Sequence, residues 1–485
     1  MKSRVLIVSF DALRPDMVTP DLMPNLCKFV AEGAHFPEAR STFPTETRVN
    51  QTAMITGCYP ERHGIVGNRF QDADASPGRL FNTGDETQLA EGDKRLGGKL
   101  VDVPVLGEIL DANGLSYAVI SAGTPGGTRM LNHKAESLGG FRLSLHRPDA
   151  TQPSGALDKV LETCGPIPPH SVPSLDWIRY ATDVYLDYVE LNLTPDVMVL
   201  WYCEPDNSYH RIGLGTPENL EALRTVDREF GRILTRDAAK PPEERLHIVT
   251  MSDHGMVTLL GGKLDLAKKF RDGGFTVGET TEDGSDMALA LSSAGGIYVK
   301  DSDPYLIQRV LTWLQSQDWC GPLFTRKGDG ALLHDHLRSV HRRAADIGIV
   351  LKSDDGSNSH GIAGGTVHDC GYPEGGGMHG GLHEREVRCW LAMQGTGVRE
   401  GYASPVTAGV VDILPTVLNF LGIDAPDHIQ GRLLREGLEA FAEEALPECH
   451  REHHVAEGAN GYRAHIEHDH VGERRYLRRA WSERV

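Results

Sequence analysis

Short runs of β-branched and aliphatic residues recur along the chain, and acidic residues follow them closely. The three clearest runs occupy residues 5–10, 197–202 and 248–252. Continuous apolar runs of this length are typical of strands buried on both faces, as in a parallel sheet covered by helices. Asp11, Asp206 and Asp253 lie just beyond these runs. Because ligands in such sheets bind beyond the carboxyl ends of the strands, the pattern predicts one site shared by the three acids.

Stretches with helical spacing lie between and after the apolar runs. The predicted helices cover residues 104–113, 174–191, 217–235 and 410–421. Alternation of strands and helices favours a doubly wound α/β fold. Residues 69–100 and about 260–345 have a weaker pattern, and we expect them to form a cap or insertion over the site. The glycine-rich stretch 361–381 predicts a loop whose backbone closely approaches another group.

The composition is that of a globular protein with a strong acidic excess. The 485 residues are 40% hydrophobic and 24% charged, which excludes a disordered, collagen-like or coiled-coil chain. Lysine and arginine number 49 against 68 acidic residues, which gives a net charge of −19. Because a chain this acidic binds phosphate backbones poorly, we expect no nucleic-acid polymer as a partner.

The sequence predicts neither a membrane partner nor a secretory route. Its apolar stretches are shorter than the roughly 18 residues that a membrane-spanning helix needs. The N-terminal residues pass directly into the first apolar run, without the apolar core and cleavage site of a signal peptide. The eight cysteines form no CxxC pair, which favours reduced thiols. We therefore expect a cytoplasmic protein.

Six aspartate and histidine residues have the chemistry of ligands for zinc and related divalent ions. They are Asp11, Asp206, His210, Asp253, His254 and His379. Asp206 and His210 are four positions apart, so a helical turn would direct both side chains to one side. His379 lies among glycines, which leave space for an ion. Each residue alone also fits a turn, a cap or a solvated position, and it is their combination that indicates a metal site.

The segment Phe43–Asn50 (FPTETRVN) places a hydroxyl after a proline turn, at the start of a predicted helix. The positive end of a helix dipole stabilises an anion at such a position. The Thr47 hydroxyl is a poor nucleophile at neutral pH unless a metal lowers its pKa. On local sequence alone, an ordinary helix N-cap is the favoured interpretation of this threonine.

Five separated segments carry a resemblance to a known family. They are Phe43–Thr47 (FPTET), Thr56–Asn68 (TGCYPERHGIVGN), Pro205–His210 (PDNSYH), Ser252–Met256 (SDHGM) and Met378–Gly381 (MHGG). Together with Asp11 after the first strand, they resemble the nucleotide pyrophosphatase/phosphodiesterase (type I phosphodiesterase) family of the alkaline phosphatase superfamily. The resemblance implies a three-layer α/β/α sandwich with a mostly parallel central sheet. The catalytic domain would span residues 1–435, with the insertion at about 260–345, and a charged, histidine-rich extension would span 436–485.

The resemblance also implies a hydrolase with two divalent metal ions, most naturally zinc, with manganese or iron as alternatives. The implied ligands are Asp206, His210 and His379 for one ion, and Asp11, Asp253, His254 and Thr47 for the other. Thr47 would attack phosphorus and form a covalent phospho-threonine intermediate. Asn68 would donate its side-chain amide to a non-bridging phosphoryl oxygen.

Two departures from the family pattern affect the expected substrate. Glu46 stands where the animal nucleotide enzymes usually have lysine, and Arg48–Asn50 replaces their common Phe-Pro-Asn. Nucleobase specificity is therefore left open. We expect a small-molecule phosphoester as the substrate, with a diester preferred over a monoester. A phosphonate hydrolase of the phosphonoacetate type and a phosphomonoesterase are the alternatives, because both reuse the same metal ligands and threonine.

Histidines are frequent in the expected extension, at positions 450, 453, 454, 465, 468 and 470. A solvated or subunit-spanning extension is favoured over a metal site there. Tyr476, Leu477 and Trp481 alternate with arginines and form an amphipathic end that would dock on a neighbouring subunit. We therefore expect a homo-oligomer that forms through this extension.

Overall fold

The computed structural model describes residues 3–485. Within this range the α-helices are Pro24–Ala31, Thr47–Thr56, Pro60–His63, Glu86–Arg95, Leu106–Ala112, Pro125–Leu131, Ala135–Leu138, Ala156–Cys164, Leu175–Asp183, Asp206–Ile212, Pro217–Ala238, Leu266–Asp272, Pro304–Leu314, Glu384–Val387 and Ile413–Phe420. A π-helix, Val184–Leu193, continues the helix that ends at Asp183. The helices predicted from helical spacing are present. No helix within residues 3–485 has both the length and the apolar character that crossing a membrane requires.

The central sheet has eight strands and is mostly parallel, as the sequence predicts. Across the sheet the strands are Tyr402–Ala403, Ala34–His35, Leu391–Gln394, His247–Met251, Val5–Phe10, Val197–Tyr202, Tyr117–Ser121 and Phe141–Ser144. The last five of these strands are mutually parallel. The strand Leu391–Gln394 runs antiparallel to both of its neighbours.

Both faces of the central sheet are buried, which explains the continuous apolar runs. Val5 and Ile7 belong to one apolar cluster, whereas Leu6 and Val8 belong to a second cluster. Because successive side chains of a strand point to opposite faces, the two clusters lie on opposite sides of the sheet. The helix Thr47–Thr56 contributes residues to the first cluster and the helix Pro217–Ala238 to the second. The arrangement is therefore the three-layer sandwich that the sequence predicts.

A second sheet forms the core of the expected insertion. Its six strands, in spatial order, are Val277–Gly278, Met287–Leu291, Ala294–Val299, Ile347–Leu351, Cys320–Thr325 and Leu332–Leu333. The strand Ile347–Leu351 adds residues beyond the expected end of the insertion near 345. The Ser293 hydroxyl donates a hydrogen bond to the backbone carbonyl of His379, at 2.9 Å. The insertion therefore touches one of the predicted metal ligands directly.

A buried ion pair joins the insertion to residues 69–100, the other stretch with a weak sequence pattern. The Nε atom of Arg343 lies 2.6 Å from Asp72 Oδ2, and both side chains are at most 1% exposed. The same guanidinium donates to the backbone carbonyls of Gly64, at 2.9 Å, and Leu100, at 2.7 Å. One arginine side chain of the insertion thus contacts two other parts of the chain, Gly64 and the stretch 69–100.

Three smaller sheets lie in the part of the chain that precedes residue 436. They contain Ser353–Ser357, Ala363–Thr366, Val257–Leu259 and Gly377–Met378; Ala408–Gly409 and Ala39–Arg40; and Arg69–Phe70 and Phe81–Asn82. The glycine-rich stretch 361–381 is therefore not a loop throughout, because two short strands lie within it.

The expected extension folds as a three-stranded antiparallel sheet against its own chain. Its strands are Cys449–Glu457, Tyr462–Val471 and Arg474–Arg484. Tyr462 is 1% exposed and belongs to the same apolar cluster as the insertion sheet. Its hydroxyl accepts a hydrogen bond from the Leu323 N–H and donates one to the Gly321 carbonyl, both at 2.9 Å. The extension is therefore packed on its own chain and is not a solvated tail, whereas a contact with a second subunit stays a prediction.

The side chains expected to dock on a neighbouring subunit are used within the chain. Tyr476 and Leu477 are 2% and 7% exposed. The Tyr476 hydroxyl donates to Asp412 Oδ2 at 2.9 Å. Trp481 stacks on His465, with ring centroids 4.8 Å apart. Because the apolar part of this segment is already covered, it gives no support to a homo-oligomer formed through the extension.

Removing the Tyr462 hydroxyl is expected to lower the free energy of unfolding. Tyr462→Phe would leave the Leu323 N–H and the Gly321 carbonyl buried without this partner, which typically costs about 1–3 kcal/mol. Tyr305→Phe is the matched control, because Tyr305 is 87% exposed and its loss of a hydroxyl should change little. Urea unfolding of the three proteins measures the difference. Equal stability of the two variants would contradict the anchoring role of Tyr462.

Candidate active site

Three adjacent strands of the central sheet deliver the predicted aspartates to one edge. The strand before Asp11 pairs on one side with the strand that precedes Asp206 and on the other with the strand that precedes Asp253. The Asp206 N–H donates to the Asp11 backbone carbonyl at 3.1 Å. The Ala12 N–H donates to Asp253 Oδ1 at 3.2 Å. The three aspartates, far apart in sequence, are therefore neighbours in space, as the strand pattern predicts.

The first group of candidate metal ligands consists of Asp206, His210 and His379. Asp206 and His210 lie one turn apart on the helix Asp206–Ile212, and Asp206 Oδ1 is 3.3 Å from His210 Nε2. The same oxygen is 3.7 Å from His379 Nε2. One ligand atom from each residue lies within 4.8 Å of the other two. This is the set that the sequence assigns to one ion.

The second group contains Asp11, Asp206 and His254, whose ligand atoms also lie within 4.8 Å of one another. His254 Nε2 is 3.8 Å from Asp11 Oδ1 and 3.2 Å from Asp253 Oδ2. The family resemblance implies Asp253, and not Asp206, for this set. The structure thus places Asp206 between the two groups, with Asp253 beside His254.

The three imidazoles are held in the same protonation pattern by backbone carbonyls. In each ring Nδ1 lies within hydrogen-bond distance of a carbonyl oxygen. The carbonyl partners are Gly377 for His210 at 2.8 Å, Gly255 for His254 at 2.9 Å and Thr45 for His379 at 2.7 Å. Because a carbonyl only accepts, Nδ1 carries the proton and Nε2 keeps its lone pair. Such contacts are typical of histidines that bind metals.

The side chains gathered at this edge of the sheet have the chemistry of ligands for divalent cations. Asp11 Oδ1, Asp206 Oδ1 and Asp253 Oδ2 are buried and have no hydrogen-bond partner among residues 3–485. Burial raises the pKa of Asp11 well above its usual range, and the neighbouring carboxylates of Asp253 and Asp206 raise it further. Burial also raises the pKa of Asp253 and lowers that of His379. Bound cations would keep such carboxylates ionised, and aspartate oxygens with neutral imidazole nitrogens are donors that suit zinc.

Thr47 is the first residue of the helix Thr47–Thr56, and its hydroxyl faces the second ligand group. The N-cap of this helix is Glu46, whose side chain accepts no capping hydrogen bond from the helix. The ordinary N-cap interpretation of Thr47 is therefore wrong. Thr47 Oγ1 lies 3.3 Å from His254 Nε2. The structure thus brings all seven candidate metal ligands together.

Glu46 connects the threonine segment to Asn68. The backbone N–H of Asn68 donates to Glu46 Oε2, and the Thr83 hydroxyl donates to the Asn68 carbonyl at 2.9 Å. Asn68 Oδ1 is buried and has no hydrogen-bond partner among the described residues. The asparagine is therefore anchored through its backbone to Glu46, the residue before Thr47, while its side-chain carbonyl oxygen is unpaired.

Arg48 is a partly buried cation beside Thr47, close enough to Glu46, Asp11 and Asp206 to interact with their carboxylates. Burial lowers the pKa of Arg48, whereas the carboxylates of Glu46, Asp11 and Asp206 raise it. Much of its positive charge is therefore balanced by the protein itself. This matters for the number of negative charges that a substrate can bring to the site.

Two aromatic residues belong to the site but have no signature in the sequence. The Trp201 indole N–H donates to Asp11 Oδ2 at 2.9 Å and fixes the orientation of that carboxylate. Tyr372 stacks on His210, with ring centroids 4.2 Å apart. Trp201 lies near the carboxyl end of the strand Val197–Tyr202, which pairs with the strand before Asp11. The pairing of these two strands could therefore have indicated its position. Tyr372 lies in the glycine-rich stretch, where no periodicity indicates its position.

Glycines allow close packing around the histidines. A side chain at Gly255 would place Cβ 2.0 Å from the Arg385 carbonyl oxygen, so this position requires close approach of two backbones. Gly380 has a φ of +116°, a conformation that other residues rarely adopt, directly after His379. Glycine is therefore needed beside the ligands for two reasons: close backbone approach at Gly255 and a positive φ at Gly380.

The chain is thus an α/β sandwich in which a buried group of candidate metal ligands lies beside a threonine hydroxyl. A sequence model of the type I phosphodiesterase/nucleotide pyrophosphatase family matches residues 5–317. The match covers more than half of the chain and includes the strands that carry Asp11, Asp206 and Asp253. The chain therefore belongs to this family, as its sequence motifs predict.

Curated relatives resemble parts of the chain. A bis(5'-adenosyl)-triphosphatase of Xenopus laevis is 40% identical over 82 residues, which are 17% of this chain and 18% of that protein. The human bis(5'-adenosyl)-triphosphatase is 25% identical over 263 residues, 52% of this chain and 47% of that protein. A venom phosphodiesterase of Crotalus durissus collilineatus is 25% identical over 276 residues, 56% of this chain and 28% of the venom protein. Each alignment covers less than half of the relative's length.

Solved structures show the fold over most of the chain. Murine ectonucleotide pyrophosphatase/phosphodiesterase 5, an inactive variant in complex with AMP, aligns with a TM-score of 0.58 and 16% identity. The alignment covers 89% of this chain and 97% of the murine chain. The alkaline-phosphatase-like fold predicted from the sequence is therefore confirmed.

Trp201→Phe is expected to weaken zinc binding by about 10–100-fold, the usual effect of removing a hydrogen bond that orients a metal ligand. The change removes the indole N–H that holds Asp11. Trp390→Phe is the matched control, because its buried indole donates to Thr250, at 3.0 Å, and not to a candidate ligand. Titration of zinc against a competing chromogenic chelator measures both variants. Equal zinc affinities in the two variants would contradict the orienting role of Trp201.

Proposed function

We propose that this chain hydrolyses phosphodiester or phosphoanhydride bonds, using Thr47 as the nucleophile at a centre of two divalent cations. One observation carries the proposal. Three imidazole Nε2 atoms and three carboxylate oxygens without hydrogen-bond partners among the described residues converge on one edge of the sheet. One of these nitrogens, His254 Nε2, lies 3.3 Å from the Thr47 hydroxyl oxygen. A purely structural cluster would not leave so many buried polar atoms without partners.

The ligands divide naturally between two ions. Asp206, His210 and His379 would hold one, and Asp11, Asp253, His254 and Thr47 the other, with Asp206 close to both. The mixture of nitrogen and oxygen donors favours zinc, and manganese or iron would fit the same donors. Cations bound here supply positive charge that lowers the pKa of a hydroxyl and stabilises the attacking and leaving oxygens of a phosphoryl transfer.

Thr47 performs the covalent step. Its Oγ1 loses the hydroxyl proton to solvent and forms a bond to phosphorus, while the bond from phosphorus to the leaving oxygen breaks. The leaving group takes a proton from solvent, and Thr47 carries the phosphoryl group as an ester. Water then attacks the same phosphorus and gives up a proton to solvent, the bond from phosphorus to Thr47 Oγ1 breaks, and this oxygen takes a proton from solvent, which restores the threonine hydroxyl. The position of Thr47 at the first turn of its helix favours the negative charge that develops on the phosphoryl oxygens.

Asn68 and the segment around it would orient the phosphoryl group. The backbone of Asn68 is fixed by Glu46 and Thr83, so the side chain extends from a rigid support. Its amide N–H groups would donate to a non-bridging oxygen of the substrate. A preorganised donor of this kind stabilises charge without having to reorganise during the reaction.

The charge balance favours a diester over a monoester. A diester brings one negative charge at phosphorus, whereas a monoester is close to dianionic at neutral pH. Arg48 is the nearest cation to the nucleophile in sequence, and Glu46, Asp11 and Asp206 already offset its charge. A second negative charge on the substrate would meet the buried Glu46 carboxylate without a matched partner.

The names of the relatives support a small phosphoester or phosphoanhydride as the substrate class. The amphibian and human relatives are bis(5'-adenosyl)-triphosphatases, and the snake relatives are phosphodiesterases. For this chain we propose a substrate whose phosphorus atom carries two ester or anhydride links. This is the chemistry that the substrates of these relatives share. The organic group is left open, because Glu46 and Arg48 depart from the motif of the nucleotide enzymes.

Thr47→Ala is expected to lower turnover by about 10³-fold or more, because the nucleophile itself is removed. Most zinc should remain bound, since six aspartate and histidine ligands are unchanged. Thr52→Ala is the matched control: Thr52 lies on the same helix, and its hydroxyl donates to the Arg48 carbonyl at 2.7 Å and not toward His254. Hydrolysis of a p-nitrophenyl diester and elemental analysis of each variant test the proposal. Near-normal turnover by Thr47→Ala would overturn it.

A p-nitrophenyl diester should have a higher kcat/KM than p-nitrophenyl phosphate on the same batch of zinc-loaded enzyme. The reason is the unmatched second charge of the monoester. The same assay should include a phosphonate, because the phosphonate hydrolases reuse this centre. A monoester or phosphonate hydrolysed as well as the diester would identify the enzyme as a phosphatase or a phosphonate hydrolase.

A further inference from the structure

A second group of metal-binding side chains lies on the C-terminal sheet. Glu452 is directly opposite His468 in the antiparallel pair of strands Cys449–Glu457 and Tyr462–Val471. His454 is two positions after Glu452 and therefore shares its face of the sheet. Opposed and diagonal residues of an antiparallel pair lie close enough for long side chains to meet. The strand register alone thus brings one carboxylate and two imidazoles together.

The ligand atoms of this group are within reach of a single ion. One atom from each of Glu452, His454 and His468 lies within 4.8 Å of the other two. Glu452 Oε2 is 3.2 Å from His454 Nε2. Ligands of a tetrahedral zinc ion are about 3.4 Å apart, given bond lengths of about 2.0–2.1 Å. Small rotations of the partly exposed Glu452 and His454 side chains would bring the ligand atoms to this separation.

His468 has the protonation pattern of a metal ligand. The residue is 1% exposed, and its Nε2 lies 2.7 Å from the backbone carbonyl of His336, to which it must donate. Its Nδ1 therefore keeps a lone pair, and this buried atom has no hydrogen-bond partner among residues 3–485. The arrangement repeats the pairing of imidazole and carbonyl in the candidate active site.

The other two members differ from each other: His454 has an unpartnered nitrogen, whereas Glu452 is oriented by a neighbouring histidine. His454 Nε2 is buried and accepts no hydrogen bond from the described residues. His470 Nε2 lies 2.9 Å from Glu452 Oε2 and holds the carboxylate in place. Arg475 is a positive group near His468, and its own ion-pair partner is Asp335, with Nη2 3.0 Å from Oδ2.

We propose that Glu452, His454 and His468 bind a zinc-type divalent cation at a site separate from the candidate active site. Two imidazole nitrogens and one carboxylate oxygen favour zinc over calcium or magnesium, which prefer oxygen donors alone. The ion links two strands of the C-terminal sheet, and the contact from His468 to the His336 carbonyl extends this link to the insertion. Its role is structural: it fixes the C-terminal sheet against the insertion. The proposal does not depend on the proposed hydrolase activity.

Zinc counting on the 485-residue chain tests the site. The protein is stripped with a chelator, reloaded with zinc, and dialysed, and zinc per chain is measured by elemental analysis. His454→Ala should bind one zinc fewer than the unmodified chain. Glu452→Gln keeps the shape of the side chain but removes its charge, and should weaken the same zinc by at least about tenfold in a chelator competition.

His453→Ala is the matched control, because His453 is the adjacent histidine on the opposite face of the same strand. It should bind as much zinc as the unmodified chain. Circular dichroism confirms that each variant is folded, and His454 is exposed enough for its replacement to be tolerated. The proposal is overturned if His454→Ala keeps the full zinc content, if Glu452→Gln keeps full affinity, or if His453→Ala loses as much zinc as His454→Ala.

Discussion

Repulsion between buried carboxylates is the constraint around which the site is organised. Asp11, Asp206 and Asp253 follow three neighbouring strands, and each has an oxygen that is buried and unpartnered within residues 3–485. Such a group is unfavourable unless positive charge is brought to it. The imidazoles of the site direct Nε2 at these carboxylates, and Arg48 offsets only part of the negative charge on Asp11. The whole edge of the sheet is therefore shaped to receive cations from solution.

Much of this arrangement could be predicted because its parts have local signatures. An apolar run followed by an acid identifies a strand end, and the parallel sheet then brings Asp11 and Asp253 together across more than two hundred residues. The carbonyls that orient His210 and His379 could not be predicted, since every residue carries a carbonyl group. The position of Asp206 between the two ligand groups also depends on distances that spacing does not supply.

The C-terminal sheet was missed for a different reason. Strands with one buried face alternate apolar and polar residues, but here many of the alternating positions hold histidine and arginine. His468 is almost completely buried although a hydropathy pattern counts it as polar. Its burial is possible because the ring is neutral and donates to a backbone carbonyl. Sequence patterns that treat histidine as a surface residue fail in such a sheet.

The contact between Tyr462 and the insertion also has a consequence for synthesis of the protein. Leu323 and Tyr462 are separated by 139 positions, so the insertion sheet leaves the ribosome long before the strand that covers it. Until then, its apolar cluster lacks part of its partner surface. Contacts between distant parts of a chain form slowly, and exposed apolar surface promotes aggregation in the meantime. The nascent chain therefore has a window in which chaperone binding at the insertion would protect it.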